Sequence, residues 1–281
     1  MIKPKLVSAR FGFGFSEEIM SLKITENITS RKNRTIVETA KLHDRKYRSE
    51  RGEFFIEGIK LFCEAEGAGA DVKAVFLTEK AAARYKDVIE RSHCERIYTV
   101  TDEVYEKLCT ESAPQGVFAV IDAASVNAET RYTGLSVVLD GIADPGNLGT
   151  IIRCADALGA ECVYIGENGA DALGPKTVRA AMGSIFRVRT ERCACADAVE
   201  KLKSDGYKVL AATLGDGSKD IRCVDLSGKV AFVIGNEGHG VSPEVAAKCD
   251  GSVIIPMTGG AESLNASVAS AILMWEKARL G

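Results

Sequence analysis

Val253-Ile254-Ile255-Pro256-Met257-Thr258-Gly259-Gly260-Ala261-Glu262-Ser263-Leu264-Asn265-Ala266-Ser267 reads as a buried strand, a glycine-containing loop and the beginning of a helix. The apolar run at 253–255 lacks the alternation of a half-exposed strand, so both of its faces are expected to be covered. Pro256 ends it, having no N–H to donate to a ladder. Ser263 is a good N-cap for a helix reaching Leu280, along which Ala, Ile, Leu, Met and Trp recur at helical spacing. By itself the stretch is a capped terminal helix. Two earlier loops give it chemistry.

Working back from it, residues 135–139, 162–165, 186–189, 208–212 and 229–234 read as strands. Residues 148–158, 176–182, 196–205 and 243–248 read as the helices between them. Apolar strands alternating with amphipathic helices predict an α/β unit with a mostly parallel sheet covered on both faces, over residues 134–281. A polar stretch without periodicity, 123–133, precedes it as a linker. Before the linker, a helix over 33–47, a turn and short strand within 51–58 and a helix over 59–68 begin a smaller α/β domain, 29–122. A strand at 72–77, a helix at 81–91, a strand at 97–100, a helix at 103–109 and a strand at 116–121 complete it. Residues 1–28 carry little pattern and are expected to be a loosely ordered lead, with Met20 as an alternative start.

At 281 residues the chain exceeds the usual single domain. No apolar run approaches the roughly 20 residues of a membrane span, and no signal-peptide pattern follows the first lysines. Nine cysteines without a CxxC pair, and only three histidines, fit a reducing, cytoplasmic setting and no metal site. The net charge of −3 is not that of a nucleic-acid binder. Its distribution differs: residues 31–51 hold eight basic side chains against three acidic ones. Among them Arg31, Arg34, Arg45, Lys46 and Arg48 are candidates for contact with an RNA backbone, the alternative being a solvated helix face.

The first loop runs Asp140-Gly141-Ile142-Ala143-Asp144-Pro145-Gly146-Asn147-Leu148-Gly149-Thr150-Ile151-Ile152-Arg153, where a strand hands over to its helix. Open α/β sheets bind ligands at such an edge. Asn147 reads as the N-cap, and Arg153 shares a helix face with Gly149 and Thr150. The second loop, Gly235-Asn236-Glu237-Gly238-His239-Gly240, follows a strand directly, and its glycines let backbone approach a ligand closely. A dinucleotide fingerprint would place its glycines after the first strand of the unit, which argues against a nicotinamide enzyme.

Asn147-x-Gly149-x3-Arg153, then Ile234-Gly235-Asn236-Glu237-Gly238-x-Gly240, then Ile255-Pro256-Met257-x5-Ser263-Leu264-Asn265-x-Ser267 together resemble the three motifs of the SpoU (TrmH-type) RNA ribose 2′-O-methyltransferases, in the family's order. The region of Phe55-Ile56-Glu57-Gly58 resembles the ribosomal-protein-like substrate-binding domain of the rRNA-directed members. The resemblance implies a SPOUT α/β fold whose C-terminal stretch threads a deep trefoil knot, a topology that pattern reasoning would reject. It implies that Gly235, Asn236, Gly238, Ile255, Pro256, Met257 and Leu264 hold S-adenosylmethionine, with Thr213, Leu214 and Gly215 as a further wall. It also implies a homodimer through the SPOUT domain, with an RNA site drawn from both chains.

Arg153 matches the family's catalytic arginine, and Asn147, Glu237, Ser263 and Asn265 match its other polar site positions. A guanidinium with a pKa above about 12 is a poor proton acceptor, so Arg153 is expected to position the ribose hydroxyl and phosphate. The implied activity is methylation of a ribose 2′-hydroxyl, with a guanosine of 23S rRNA as the expected target. Transfer RNA, or RNA binding without chemistry, are the alternatives.

Overall fold

Residues 22–126, 131–215, 217–236, 238–260 and 263–280 are described in this computed structural model, and their strands form two sheets. The first sheet has the order β1-β4-β3-β5-β2, built from β1 (Ile24–Ile28), β2 (Glu53–Glu57), β3 (Val72–Thr78), β4 (Ile97–Val100) and β5 (Val117–Asp122). Phe54, Phe55 and Ile56 on β2 and Phe118 on β5 are all buried, so helices must cover both faces. Those helices are α1 (Arg34–Ala40), α2 (Arg45–Arg51), α3 (Ile59–Gly67), α4 (Glu79–Arg84), α5 (Lys86–Glu90) and α6 (Asp102–Leu108).

The chain departs here from three expectations. Residues 24–28 are not a loose lead but an edge strand, pairing in parallel with β4; residues 1–21, Met20 included, lie outside the described residues. The expected single helix over 33–47 is divided: a 3-10 turn at Lys41–His43 interrupts it. Asp44, extended at ψ 131 and accepting from Lys46 N–H at 2.8 Å, then caps a fresh helix. The expected helix over 81–91 is likewise two, α4 and α5, parted at Tyr85.

The second sheet is parallel throughout, with order β10-β12-β9-β11-β6-β7-β8. Its strands are β6 (Leu135–Asp140), β7 (Cys162–Gly166), β8 (Arg189–Cys193), β9 (Lys208–Ala212), β10 (Lys219–Asp220), β11 (Val230–Gly235) and β12 (Gly251–Ile254). The crossover helices are α7 (Pro145–Ala157), α8 (Pro175–Ala181), α9 (Cys195–Ser204) and α10 (Pro243–Lys248), with α11 (Ala266–Ala278) last. β6 and β11 are buried along their length except at the final residue of each, as double coverage requires. Residues 186–189 are not a strand: a 3-10 turn occupies Ser184–Phe186 and β8 begins at Arg189.

Arg48, on α2, is 6% exposed. Its guanidinium donates to the carbonyls of Leu42 and His43 at 2.7 and 3.0 Å and to Asp171 of the second unit at 2.6 Å. Arg179 reaches back from α8 to Glu111 at 3.2 Å and to the Thr110 hydroxyl at 2.7 Å. Arg187 pairs with Glu64, and Phe54 lies against Phe186 with ring centroids 6.2 Å apart. Removing one partner of a buried ion pair costs about 3–5 kcal/mol, so the largely buried Arg48–Asp171 pair does most to fix how the two units sit together, and the more exposed Arg179 and Arg187 pairs add less. Among the described residues no helix is long and apolar enough to cross a membrane, and no group of three His, Cys, Asp or Glu could hold a metal ion.

Candidate active site

Parallel strands release the chain on one edge, and the ends of β6, β9, β11 and β12 lie there side by side. Gly235 pairs with Asp140 across β11 and β6, Ile234 with Ala212, and Val253 with Ala212. The loops that leave these ends therefore meet.

The first loop turns at Gly141, φ +75°. The N-cap of α7 is Asp144 rather than Asn147: its carboxylate accepts from Asn147 N–H at 2.7 Å, and Pro145 takes the first helical position. Asn147 is thereby carried into the first turn with its side chain released from capping. Gly149 is a packing glycine, since a Cβ there would stand 2.5 Å from the Thr177 carbonyl on α8.

The second loop folds on itself and on the first. Asn236 donates from Nδ2 to Gly141 O at 2.9 Å and accepts at Oδ1 from Gly238 N–H at 2.8 Å. Gly240 N–H returns to Asn236 O at 2.7 Å, and Ser242 N–H reaches Asp140 at 2.8 Å. So tight is the return that a Cβ on Gly235 would lie 1.9 Å from the carbonyl carbon of Gly240. Gly235 is required by its own loop before any ligand arrives.

The third loop ends at Asn265, which replaces Ser263 as the N-cap of the last helix: Oδ1 accepts from Ser267 N–H at 2.9 Å and from Ser267 Oγ at 2.6 Å. That leaves Nδ2 to donate to Asn147 Oδ1 at 3.0 Å. Beneath the first loop, Cys195 is pushed up to about 12 by burial and by Asp140 beside it, so its thiol is no nucleophile.

The loops enclose a cleft of about 460 Å³. Thr213, Leu214, Gly215, Gly235, Asn236, Gly238, Ile255, Met257 and Leu264 line it, as does Ser263. Pro256 is not on the wall. Ile234, quoted in the second motif, also lines it, and Val241 and, from the last helix, Ala266, Ala269 and Leu273 do so without having been named as site candidates in the sequence. The helix residues carried a signal in their small-residue spacing toward the strands, but only the packed helix shows which face meets the cleft. Asn147 and Asn265 join at the neighbouring loop junction. Arg153 is exposed on α7 and lies outside the cleft wall. Glu237 lies outside the described residues.

The description SpoU rRNA Methylase family matches residues 134–275, half of the chain, and contains all three loops. The chain belongs to the SpoU methylase family. A second match, the MRM3-like substrate binding domain, covers residues 33–119. Among SpoU relatives, the 23S rRNA (guanosine(2553)-2′-O)-methyltransferase RlmP of Bacillus subtilis (strain 168) is 34% identical, over 89% of this chain and 98% of that protein. The 23S rRNA (uridine(2479)-2′-O)-methyltransferase of Streptomyces viridochromogenes is 32% identical, over 90% of this chain and 91% of its own. The AdoMet-bound rRNA methyltransferase from Sinorhizobium meliloti superposes with a TM-score of 0.77 at 29% identity, covering 90% of this chain and 97% of its own.

In this SpoU chain the basic stretch divides by exposure. Arg31, Arg34, Arg45 and Lys46 are exposed, with Lys46 near Glu50 at 3.8 Å. Arg48 is turned inward and committed to Asp171, which removes it from any surface for RNA.

Proposed function

We propose that this protein transfers a methyl group from S-adenosylmethionine to a ribose 2′-hydroxyl of RNA, with a guanosine of 23S rRNA as the target. The observation that carries the reading is the three-loop cleft. Its apolar walls at Leu214, Ile255, Met257 and Leu264, edged by loop backbone, fit an adenosine carrying an amino-acid tail. When bound, the cofactor would supply a methyl carbon activated by its sulfonium, and the ribose hydroxyl that takes this carbon would give up its proton to water. The protein's part is then positioning. The joined Asn147 and Asn265 orient groups at the mouth, with Ser263 and Glu237 as further hydrogen-bonding positions. Arg153 holds the ribose oxygen and phosphate by its fork of donors. The rRNA assignment is supported by the relatives' activities, and guanosine over uridine by the slightly nearer of the two.

The same reading assigns residues 29–122 to substrate binding, 123–133 to a linker and 134–281 to methyl transfer. It includes a trefoil knot made by the third loop, supported by family membership. It includes a homodimer through the SPOUT domain, supported by an apolar stripe on α11: Val268 is 47% exposed and Trp275 57%, with Ile272 between them on one face. Nine free thiols support a cytoplasmic setting. Mapping 2′-O-methylation across total RNA from a deletion strain and its parent tests the function; one 23S guanosine should lose its mark, and an unchanged map would defeat the reading.

A further inference from the structure

We propose that the cleft between the two units is a channel for the RNA strand flanking the target nucleotide, gripped by Arg45 from one side and Lys176 from the other. This rests on the reading of the protein as an RNA methyltransferase. The cleft holds about 470 Å³, and its wall includes Ala143 and Pro145 of the first loop, just before Asn147 in the chain.

Its charge is uncompensated. Arg45 and Lys176 are exposed, and neither has an ion pair or side-chain hydrogen bond among the described residues. The one carboxylate on the wall, Asp171, is already held by Arg48 at 2.6 Å, and Arg179 is engaged by Glu111 and Thr110. Behind Arg45, Arg192 is tied to the carbonyls of Gly166 and Glu167 at 3.0 and 2.9 Å. Burial first, and then the Arg45 charge, hold the Arg192 pKa below its ordinary value. Like charges so close together repel, and an anion held at Arg45 relieves that repulsion.

The lining favours a polynucleotide over a single anion. The cations come from different units, and Pro145, Ala170 and Pro175 on the same wall offer apolar surface for ribose or base. The groove links the exposed basic stretch to the first catalytic loop, and the Arg48 and Arg179 contacts preset its width. A strand held there at two phosphates is delivered to the mouth of the active site in a fixed register.

The test uses the full-length protein and an unmodified 23S rRNA transcript, with filter binding across a salt series and KM for RNA from transfer of labelled methyl. Arg45→Gln with Lys176→Gln should weaken RNA binding at least tenfold, raise KM, and lower the slope of log K against log salt by about one per residue. Calorimetry should give unchanged cofactor affinity, which reports an intact fold. Lys80→Gln with Lys219→Gln, exposed cations elsewhere, should change binding less than twofold. Equal losses in both double variants would reduce the effect to general charge and overturn the channel, as would a wild-type slope in the first. A wild-type protein that neither binds nor methylates the transcript would instead sink the enzymatic reading, and the channel with it.

Discussion

Asn265 donates from Nδ2 to Oδ1 of Asn147 at 3.0 Å, joining the loop before the last helix to the first turn of α7. The direction follows from the cap: Oδ1 of Asn265 is occupied by Ser267 and Val268 N–H groups at 2.9 and 3.4 Å, so its amide nitrogen must face Asn147. One side chain thus both starts a helix and aligns two loops.

Those tasks separate by substitution. Asn265→Asp keeps the capping oxygen and loses the donor, so melting should stay close to wild type while methyl transfer falls at least tenfold. Asn265→Ala loses both, and about 1 kcal/mol of stability besides. Equal activity in the Asp variant and wild type would show that the link to Asn147 is idle.

Glycines in the cleft wall should differ in kind. Gly235→Ala forces a Cβ against the Gly240 backbone, and overpacking of this sort costs about 1–3 kcal/mol. Cofactor binding and melting temperature should fall together. At Gly215 an added Cβ meets nothing within 4 Å, so Gly215→Ala should keep its melting temperature, and calorimetry then reads encroachment on the cofactor alone.

How far the sequence reaches is clear from these positions. Parallel strands and their exits are written as apolar runs followed by Gly, Asn or Pro, so the second unit and its three loops were legible. The caps were displaced by two or three residues, because Ser263 and Asn265, or Asp144 and Asn147, are all competent and tertiary partners choose between them; Pro145 was the missed clue. Strand β1, Ile-Thr-Glu-Asn-Ile, is an edge strand with one buried residue and little apolar signal. Arg48 looked like its basic neighbours because its partner Asp171 lies far along the chain. Gly235 announced itself, but its reason is a contact inside its own loop.

Asp156, three residues past Arg153 on α7, gathers Arg131 at 2.7 Å and both Arg187 and Ser184 at 2.8 Å. Burial alone would raise its pKa; the hydrogen bonds from Arg131, Arg187 and Ser184 overcome this and hold it below the ordinary value of 3.8. A depressed carboxylate stabilises the fold above its unfolded pKa and loses that contribution as pH falls through the folded value. Asp156→Asn should therefore cost on the order of 2 kcal/mol at neutral pH. The melting gap between variant and wild type should hold from pH 7 to 5 and close below about pH 4. A gap independent of pH would remove Asp156 from the acid limb.

Arg153 is exposed on α7, outside the cleft wall. Its loss should cost about 3 kcal/mol of transition-state stabilisation while cofactor affinity stays the same. Arg153→Lys keeps the charge without the planar fork and should be nearly as poor as Arg153→Ala at every pH. A lysine variant whose single-turnover rate climbs to near wild type at alkaline pH would make the residue a proton acceptor instead.

The central claim is 2′-O-methylation from S-adenosylmethionine, and the fate of a labelled methyl tests it most directly. The protein is incubated with methyl-labelled cofactor and an unmodified 23S rRNA transcript, and the RNA is then hydrolysed in alkali, which cannot cleave beside a 2′-O-methylated ribose. The label should appear in one alkali-resistant dinucleotide whose 5′ member is guanosine, and should form about a hundredfold more slowly with Arg153→Ala. Label confined to mononucleotides, marking a methylated base, or a cofactor-bound protein that transfers none to the RNA, would contradict the account.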